Sequence, residues 1–394
     1  MHGSAYRTGA AVKAISASRR DPTLARIADA VLANRPLGFT EGVHLYRRVA
    51  LDDIRTLAAH CKQKRHGDRT YYERSLPLVV RGGCDRDTGD AGARRRHHHD
   101  RINANRGLAI DARATPADLR RMLLAYVGAG IAGISISTPN AKALAPAASI
   151  DWWCALLRAV KQGLPDADIN ACSHLDIATM ASTAGLSIEA TLSRLYGAGL
   201  ASVAGAGPEM GDGPDATRLG LGLWFSVHRC AYGARLTRDA VFGYGRDKAY
   251  ERRVLGLLAI REFQQQSIAC GRPAFARIGV VRQQRGGCRQ ARGASWDDDL
   301  RNHAVARIMA HNIDHVVVDP ALDTDMRVHA VAYGVDHFGE YASADAVDTL
   351  MRRLYDAGIT AARRDRTDTL SYQQQQQQRP PESLADAMWP AAPS

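Results

Sequence analysis

Short apolar runs rich in β-branched residues recur along this chain, each separated from the next by a longer stretch. The runs fall at 76–80, 131–136, 167–171, 200–203, 235–242, 274–281, 315–319 and 335–339. The stretches Pro116 to Val127, Ile150 to Val160, Ile188 to Tyr196, Tyr250 to Phe263, Leu300 to Ala310 and Ala344 to Tyr355 carry the apolar spacing of amphipathic helices. Strands alternating with helices imply parallel pairing with right-handed crossovers. Three junctions share one design: Tyr126-Val-Gly-Ala-Gly-Ile131, Tyr196-Gly-Ala-Gly-Leu200 and Tyr355-Asp-Ala-Gly-Ile359 are each expected to end a helix on glycine and then enter a strand. Eight such units favour an α/β fold of the (β/α)8 TIM-type barrel kind over its alternative, an open doubly wound sheet.

The flanks read differently. Residues 1–20 hold no acid before Asp21 and are rich in Ala, Ser and Arg, which predicts a flexible tail. Residues 21–70 form an N-terminal helical segment, with Leu24, Ile27, Ala28, Val31 and Leu32 on one face and Leu51, Ile54, Leu57 and Ala58 on another. The barrel is expected over 71–372. A glutamine run at 373–378 opens a Pro/Ala-rich end, 373–394, that reads as disordered.

The formal charge of +11 raises nucleic acid as a partner, but the 52 basic residues are nearly all Arg and are scattered, with no aromatic-and-basic recognition motif. No nucleic acid is expected. No apolar run approaches the roughly 18 residues of a spanning helix, so no membrane partner is expected either. The seven cysteines are odd in number and none stands in a C-x-x-C pair, which points to a reducing, cytoplasmic setting rather than a disulfide framework.

After the fourth run comes Ala204-Gly-Ala-Gly-Pro-Glu-Met210, preceded by Leu186 to Leu200. Upstream stand Leu37-Gly-Phe-Thr-Glu-Gly-Val-His-Leu-Tyr46, His66-Gly-Asp68 and Asp166-Ala-Asp-Ile-Asn-Ala-Cys-Ser-His-Leu-Asp-Ile177. Downstream stand Ala294-Ser-Trp296 and Leu354-Tyr-Asp-Ala-Gly-Ile-Thr-Ala-Ala-Arg-Arg-Asp365. Together, and in this order, these segments resemble the radical S-adenosylmethionine enzymes that make aminofutalosine, cyclise dehypoxanthine futalosine or build the deazaflavin precursor of coenzyme F420. The likeness runs over residues 21–372. It implies a radical-SAM-type barrel with N-terminal helices, working in small-molecule biosynthesis.

The same resemblance implies a [4Fe–4S] cluster held by three cysteines after the first strand, with S-adenosylmethionine on its open iron; thiolates are what such clusters need. The corresponding loop is Arg81 to Gly92. Cys84 falls at the first cysteine, but four and seven residues later stand Thr88 and Ala91, neither of which ligates iron. Ser137-Thr-Pro-Asn140 replaces a cofactor-contacting glycine pair, and Ala240-Val-Phe-Gly-Tyr244 lacks the family's methionine and histidine. The expectation is therefore a chain without the ancestral cluster and without another cofactor, serving as an auxiliary, partner or ligand-binding subunit. Its expected partners are a small molecule and an intact radical SAM paralogue or another pathway enzyme. Two alternatives are an enzyme running non-radical chemistry from the retained pocket, and a radical enzyme whose cluster is held by distant thiols such as Cys84, Cys172 and Cys230.

Candidate pocket residues follow from position. Glu209 adds a carboxylate to the glycine-rich turn. Cys172, His174 and Asp176 alternate, which on a strand would set all three on one face beside Glu209; the competing reading is a relic or a satisfied core network. Asp319, His337 and Glu340 follow the last two runs and are read evenly as pocket or loop residues. His97, His98 and His99 carry metal-ligating chemistry, yet consecutive residues do not converge on one ion in regular structure, and a solvated loop is expected there.

Overall fold

The computed structural model describes residues 3–18, 20–81, 108–137, 149–204, 214–245, 249–282, 295–320, 322–340 and 344–364. Four helices come first: α1 (Gly3–Ser16), α2 (Pro22–Leu32), α3 (Phe39–Arg47) and α4 (Leu51–His66). The strands β1 (Thr70–Arg81), β2 (Leu108–Asp111), β3 (Gly133–Ser137), β4 (Asp168–Ala171) and β5 (Leu200–Val203) follow, with α5 (Pro116–Leu123), α6 (Ile150–Gly163), α7 (His174–Ala184) and α8 (Ile188–Gly197) between them. After α9 (Pro214–Gly233) come β6 (Asp239–Tyr244), α10 (Tyr250–Ala269), β7 (Arg277–Arg282), α11 (Trp296–Met309), β8 (His315–Val318), α12 (Thr324–His329), β9 (His337–Glu340), α13 (Ala344–Asp356) and β10 (Ala361–Arg363).

Eight strands line up as β5-β4-β3-β1-β9-β8-β7-β6, and β2 and β10 are added at the two ends of the long β1. Every pairing is parallel. The order is that of a barrel read round its circumference, and its two terminal strands approach where the Val203 N–H donates to the Leu236 carbonyl at 2.9 Å. The eight expected runs each lie on or overlap one of these strands. β2 and β10 are additions, four and three residues long, held by pairing to β1 rather than by any apolar pattern of their own.

The glycine junctions behave as their sequence predicts. Gly130, Gly199 and Gly358 have φ of 67°, 110° and 69°, the left-handed region that residues with a Cβ avoid. At Gly199 a Cβ would also fall 2.6 Å from Lys161 Cγ, so this turn admits no side chain without displacing its neighbour.

Two apolar clusters hold the barrel. One sits behind β1, β3, β4 and β5 and includes Leu78, Ile134, Trp153, Leu157 and Leu195; the other sits behind β6 to β9 and includes Phe242, Leu257, Ile278, Val316 and Phe338. The N-terminal helices join the second cluster through Ile27, Val31, Leu45, Ile54 and Leu57. The expected flexible segment 1–20 needs correction at this point: α1 occupies residues 3–16, and Val12 is fully buried in that cluster. Its small, weakly apolar sequence gave little helical signal; contact with α2 and α4 supplies the stabilisation.

Candidate functional site

Along each strand one set of side chains faces the helices and the other faces the barrel axis, as the twofold pleat requires. On β3 Ile134 and Ile136 point outward, leaving Gly133 and Ser135 inside; on β7 Ile278 and Val280 point outward, leaving Arg277 and Gly279 inside. The inward set encloses a cavity of about 410 Å³. One wall is polar. Register pairs Pro77 with Ser135, Ser135 with Asn170 and Asn170 with Ser202, so a single layer of hydroxyl and amide groups crosses β3, β4 and β5. The opposite wall pairs Val241 with Gly279 and Gly279 with Val317, and is apolar.

The floor of the cavity is ionic. Arg277 Nε and Nη2 donate to the two carboxylate oxygens of Asp239, each at 2.7 Å, and Nη1 donates to Glu73 at 2.5 Å. Beside them Arg238 pairs with Asp168 at 2.5 Å, and His337 Nε2 lies 3.8 Å from Glu73. Burial alone would raise the Glu73 carboxyl, but the Arg277 charge, with His337 nearby, holds it well below the usual carboxylate range. Burial likewise opposes ionisation of Asp239, and Arg277 reverses the sign. These carboxylates are therefore anions locked to guanidinium groups, and burial keeps His337 neutral near pH 7 by lowering its pKa. The floor is a fixed dipolar surface with no free proton carrier among these carboxylates.

The rim above β6 and β7 is braced in the same way. Arg282 forks onto both oxygens of Asp299, with Nε at 2.9 Å from Oδ1, and the Tyr244 hydroxyl donates to Oδ1 at 2.6 Å. Asp319 accepts the backbone N–H of Arg282 at 3.0 Å and so anchors the end of β7.

The structure separates the residues that sequence alone grouped together. β4 ends at Ala171, and Cys172, His174 and Asp176 do not alternate on a strand. Ser173 starts α7 with a reciprocal cap: its hydroxyl accepts the Asp176 N–H at 3.2 Å, while the Asp176 carboxylate accepts the Ser173 N–H at 2.8 Å. The spacing Ser173-x-x-Asp176 was a legible signal of this helix start. Cys172 takes φ 60° at the turn and is buried in the cluster behind β4; burial raises its thiol well above the ordinary value, which leaves it protonated. His174 is buried against His228 of α9, ring centroids 6.3 Å apart, and burial lowers it to about 4. None of the three lines the cavity.

His337 is fully buried in the floor rather than on a surface loop. Glu340 ends β9. Glu209, Cys84, His97, His98 and His99 lie outside the described residues. Glu73, Asp168, Asn170, Ser202, Arg238, Asp239 and Arg277 were not singled out from sequence, although alternation along Arg277-Ile-Gly-Val280 and Gly133-Ile-Ser-Ile136 marks one face of each strand as special.

The parallel barrel, with a polar-walled cavity over an ionic floor along its axis, has the TIM-type fold of radical SAM proteins. Solved structures share the fold: methylornithine synthase superposes with a TM-score of 0.55 at 13% identity, covering 88% of this chain and 99% of that one. The FeFe-hydrogenase maturase HydG from Carboxydothermus hydrogenoformans gives 0.56 at 14% identity, covering 91% and 83%.

The sequence relatives are narrower in kind. Aminodeoxyfutalosine synthase of Thermus thermophilus is 23% identical over 75% of this chain and 78% of its own. The 5-amino-6-(D-ribitylamino)uracil–L-tyrosine 4-hydroxyphenyl transferase of Methanoculleus marisnigri is 24% identical over 81% and 86%. FO synthase of Mycobacterium tuberculosis is 29% identical over 43% of this chain but only 21% of its own length. No family model matches the chain. Relatives and fold together are those of the radical S-adenosylmethionine family, and they point to its futalosine- and FO-synthase-like biosynthetic branch.

Proposed function

We propose that this protein keeps the barrel and ligand cavity of that branch but works without its [4Fe–4S] cluster, as a ligand-binding or partner subunit in small-molecule biosynthesis. The observation that carries the reading is the donor set. At the positions where the resemblance requires the second and third cluster cysteines stand Thr88 and Ala91, which offer no thiolate. The described thiols do not replace them. Cys61, Cys154 and Cys230 sit on α4, α6 and α9, Cys270 caps α10, and Cys172 is packed behind β4. Cys230 is engaged with Glu189 of α8 at 3.5 Å and its thiol is raised to about 11, first by burial. Cys172 and Cys230 therefore offer no support for a cluster assembled from distant thiols.

The residues of the cavity account for ligand binding instead. Ser135, Asn170 and Ser202 offer hydrogen-bond donors and acceptors along one edge of a ligand, Val241 and Val317 offer apolar contact along the other, and Arg277 holds Glu73 and Asp239 so that the floor does not reorganise when a ligand enters. The displacement of Cys172, His174 and Asp176 from the cavity favours this reading over non-radical catalysis by those groups.

Anaerobic reconstitution of the purified protein with iron and sulfide tests it. The expected result is no stoichiometric cluster absorbance and no cleavage of added S-adenosylmethionine. A stable cluster with cleavage would overturn the proposal.

A further inference from the structure

At the amino-terminal end of the barrel, on the far side of the floor residue His337, whose ring lies 5.7 Å from that of His315, three segments meet. His66 ends α4, His315 opens β8 and Asp336 immediately precedes β9. Asp336 Oδ2 lies 2.5 Å from His315 Nδ1 and 3.4 Å from His66 Nε2. The Asp314 carbonyl oxygen lies 2.7 Å from the same His66 nitrogen. The two imidazoles stack with centroids 4.7 Å apart, 17° from parallel, and one ligand atom from each of the three side chains falls within 4.8 Å of the others.

We propose that His66, His315 and Asp336 bind a divalent first-row transition ion of the zinc type, with the Asp314 carbonyl as a fourth donor. Two imidazoles and a carboxylate suit such an ion, whereas hard ions prefer sets made of oxygen alone. The carboxylate is oriented as a ligand requires: its second oxygen, Oδ1, accepts from Arg307 and from the Val316 N–H at 2.8 Å. Arg307 is in turn fixed by the carbonyls of Gly334 and Asp314, each at 2.8 Å. That is the outer-shell support typical of metal-bound carboxylates. Metal binding would draw on the neutral imidazole with its proton on the nitrogen facing away from the ion. The side chains of His66 and His315 are 9% and 13% exposed, which leaves a route from solvent to the buried Asp336.

The local charges set the selectivity. Asp336 and the carbonyl end of α4 attract a cation, while Arg307 and the neighbouring Lys62 oppose one. With the electrostatic terms opposed, affinity must come from bonds to nitrogen, so Zn²⁺, Co²⁺ and Ni²⁺ are favoured and Mg²⁺ is not. The site lies at the end of the barrel associated with stability rather than chemistry, and the ion's role is to clamp α4 to β8 and β9.

Titration of the chelator-treated full chain with Zn²⁺ alone tests this, with Co²⁺ as a spectroscopic reporter and Mg²⁺ as the control. One saturable equivalent is expected, with a Co²⁺ spectrum free of thiolate charge-transfer bands and a thermal midpoint raised by Zn²⁺ but not by Mg²⁺. His66→Gln keeps a donor for the Asp314 carbonyl and should still fold. In it and in His315→Asn, Zn²⁺ affinity should fall by at least the ~10–100-fold that outer-shell changes cost at metal sites. No saturable binding, a thiolate-type Co²⁺ spectrum, or affinity unchanged in His66→Gln would each overturn the assignment.

Discussion

The two halves of the barrel are built from the same alternation of strand and helix but are stabilised by different means. Behind β1, β3, β4 and β5 the support is apolar, and the cavity wall in front carries Ser135, Asn170 and Ser202. Behind β6 to β9 the apolar cluster is reinforced by buried ion pairs: Arg282 with Asp299, Arg253 with Asp298 and Arg307 with Asp336. The cavity wall in front of that half is Val241, Gly279 and Val317. Above the shared ionic floor, the polar wall lies on one half and the apolar wall on the other. Under the proposed function the polar wall is the one that hydrogen-bonds a ligand, and the apolar wall packs against it.

Arg277 joins the two, since it bonds Asp239 on β6 and Glu73 on β1. Arg277→Met would leave two buried carboxylates without the guanidinium that hydrogen-bonds them, and we expect a loss of about 3–5 kcal/mol in urea unfolding. Adding Glu73→Gln and Asp239→Asn should recover much of it. A small effect of the single change would mean that the floor does not couple the halves.

A second measurement asks whether the apolar clusters are independent. Leu157→Ala on α6 and Leu257→Ala on α10 each remove a fully buried side chain, and each should cost about 2–5 kcal/mol. Because they lie in separate clusters, the double variant should show the sum within about 0.5 kcal/mol. A larger discrepancy would make the two clusters one cooperative core.

The smallest effect concerns pH. Burial lowers His228 to about 3 from an ordinary value of 6.5, and its Nε2 has no partner. Below pH 6.5 the unfolded chain takes up a proton that the folded chain refuses, so stability is complete above that pH and declines as pH falls toward 3. His228→Phe should flatten this decline in thermal midpoints recorded from pH 7 to 4, and at pH 7 should stabilise by about 1 kcal/mol through removal of the unpaired nitrogen. An unchanged pH profile would show that other groups dominate acid lability.

Much of the barrel was readable because each unit announces itself locally. Apolar runs, helical spacing and Gly-Ala-Gly junctions act within ten or fifteen residues. What escaped was either too short or too dependent on partners. β10 has three residues and exists by pairing with β1. α1 has a weak apolar face and folds because α2 and α4 cover Val12. The grouping of Cys172, His174 and Asp176 failed for a local reason, since the Ser173–Asp176 cap ends the strand before alternation can operate.

The amino-acid sequence by itself determined the kind of element at most stretches, the resemblance to a family of barrels, and the presence of Thr88 and Ala91 where that resemblance implies thiolates. These depend on residue type and near spacing. Only the tertiary structure decided which charged residues meet. Glu73 and Arg277 are 204 positions apart, and His66 ends α4 whereas Asp336 precedes β9. Their pairing follows from strand register and barrel closure, which are properties of the whole sheet and cannot be read from any window of the chain.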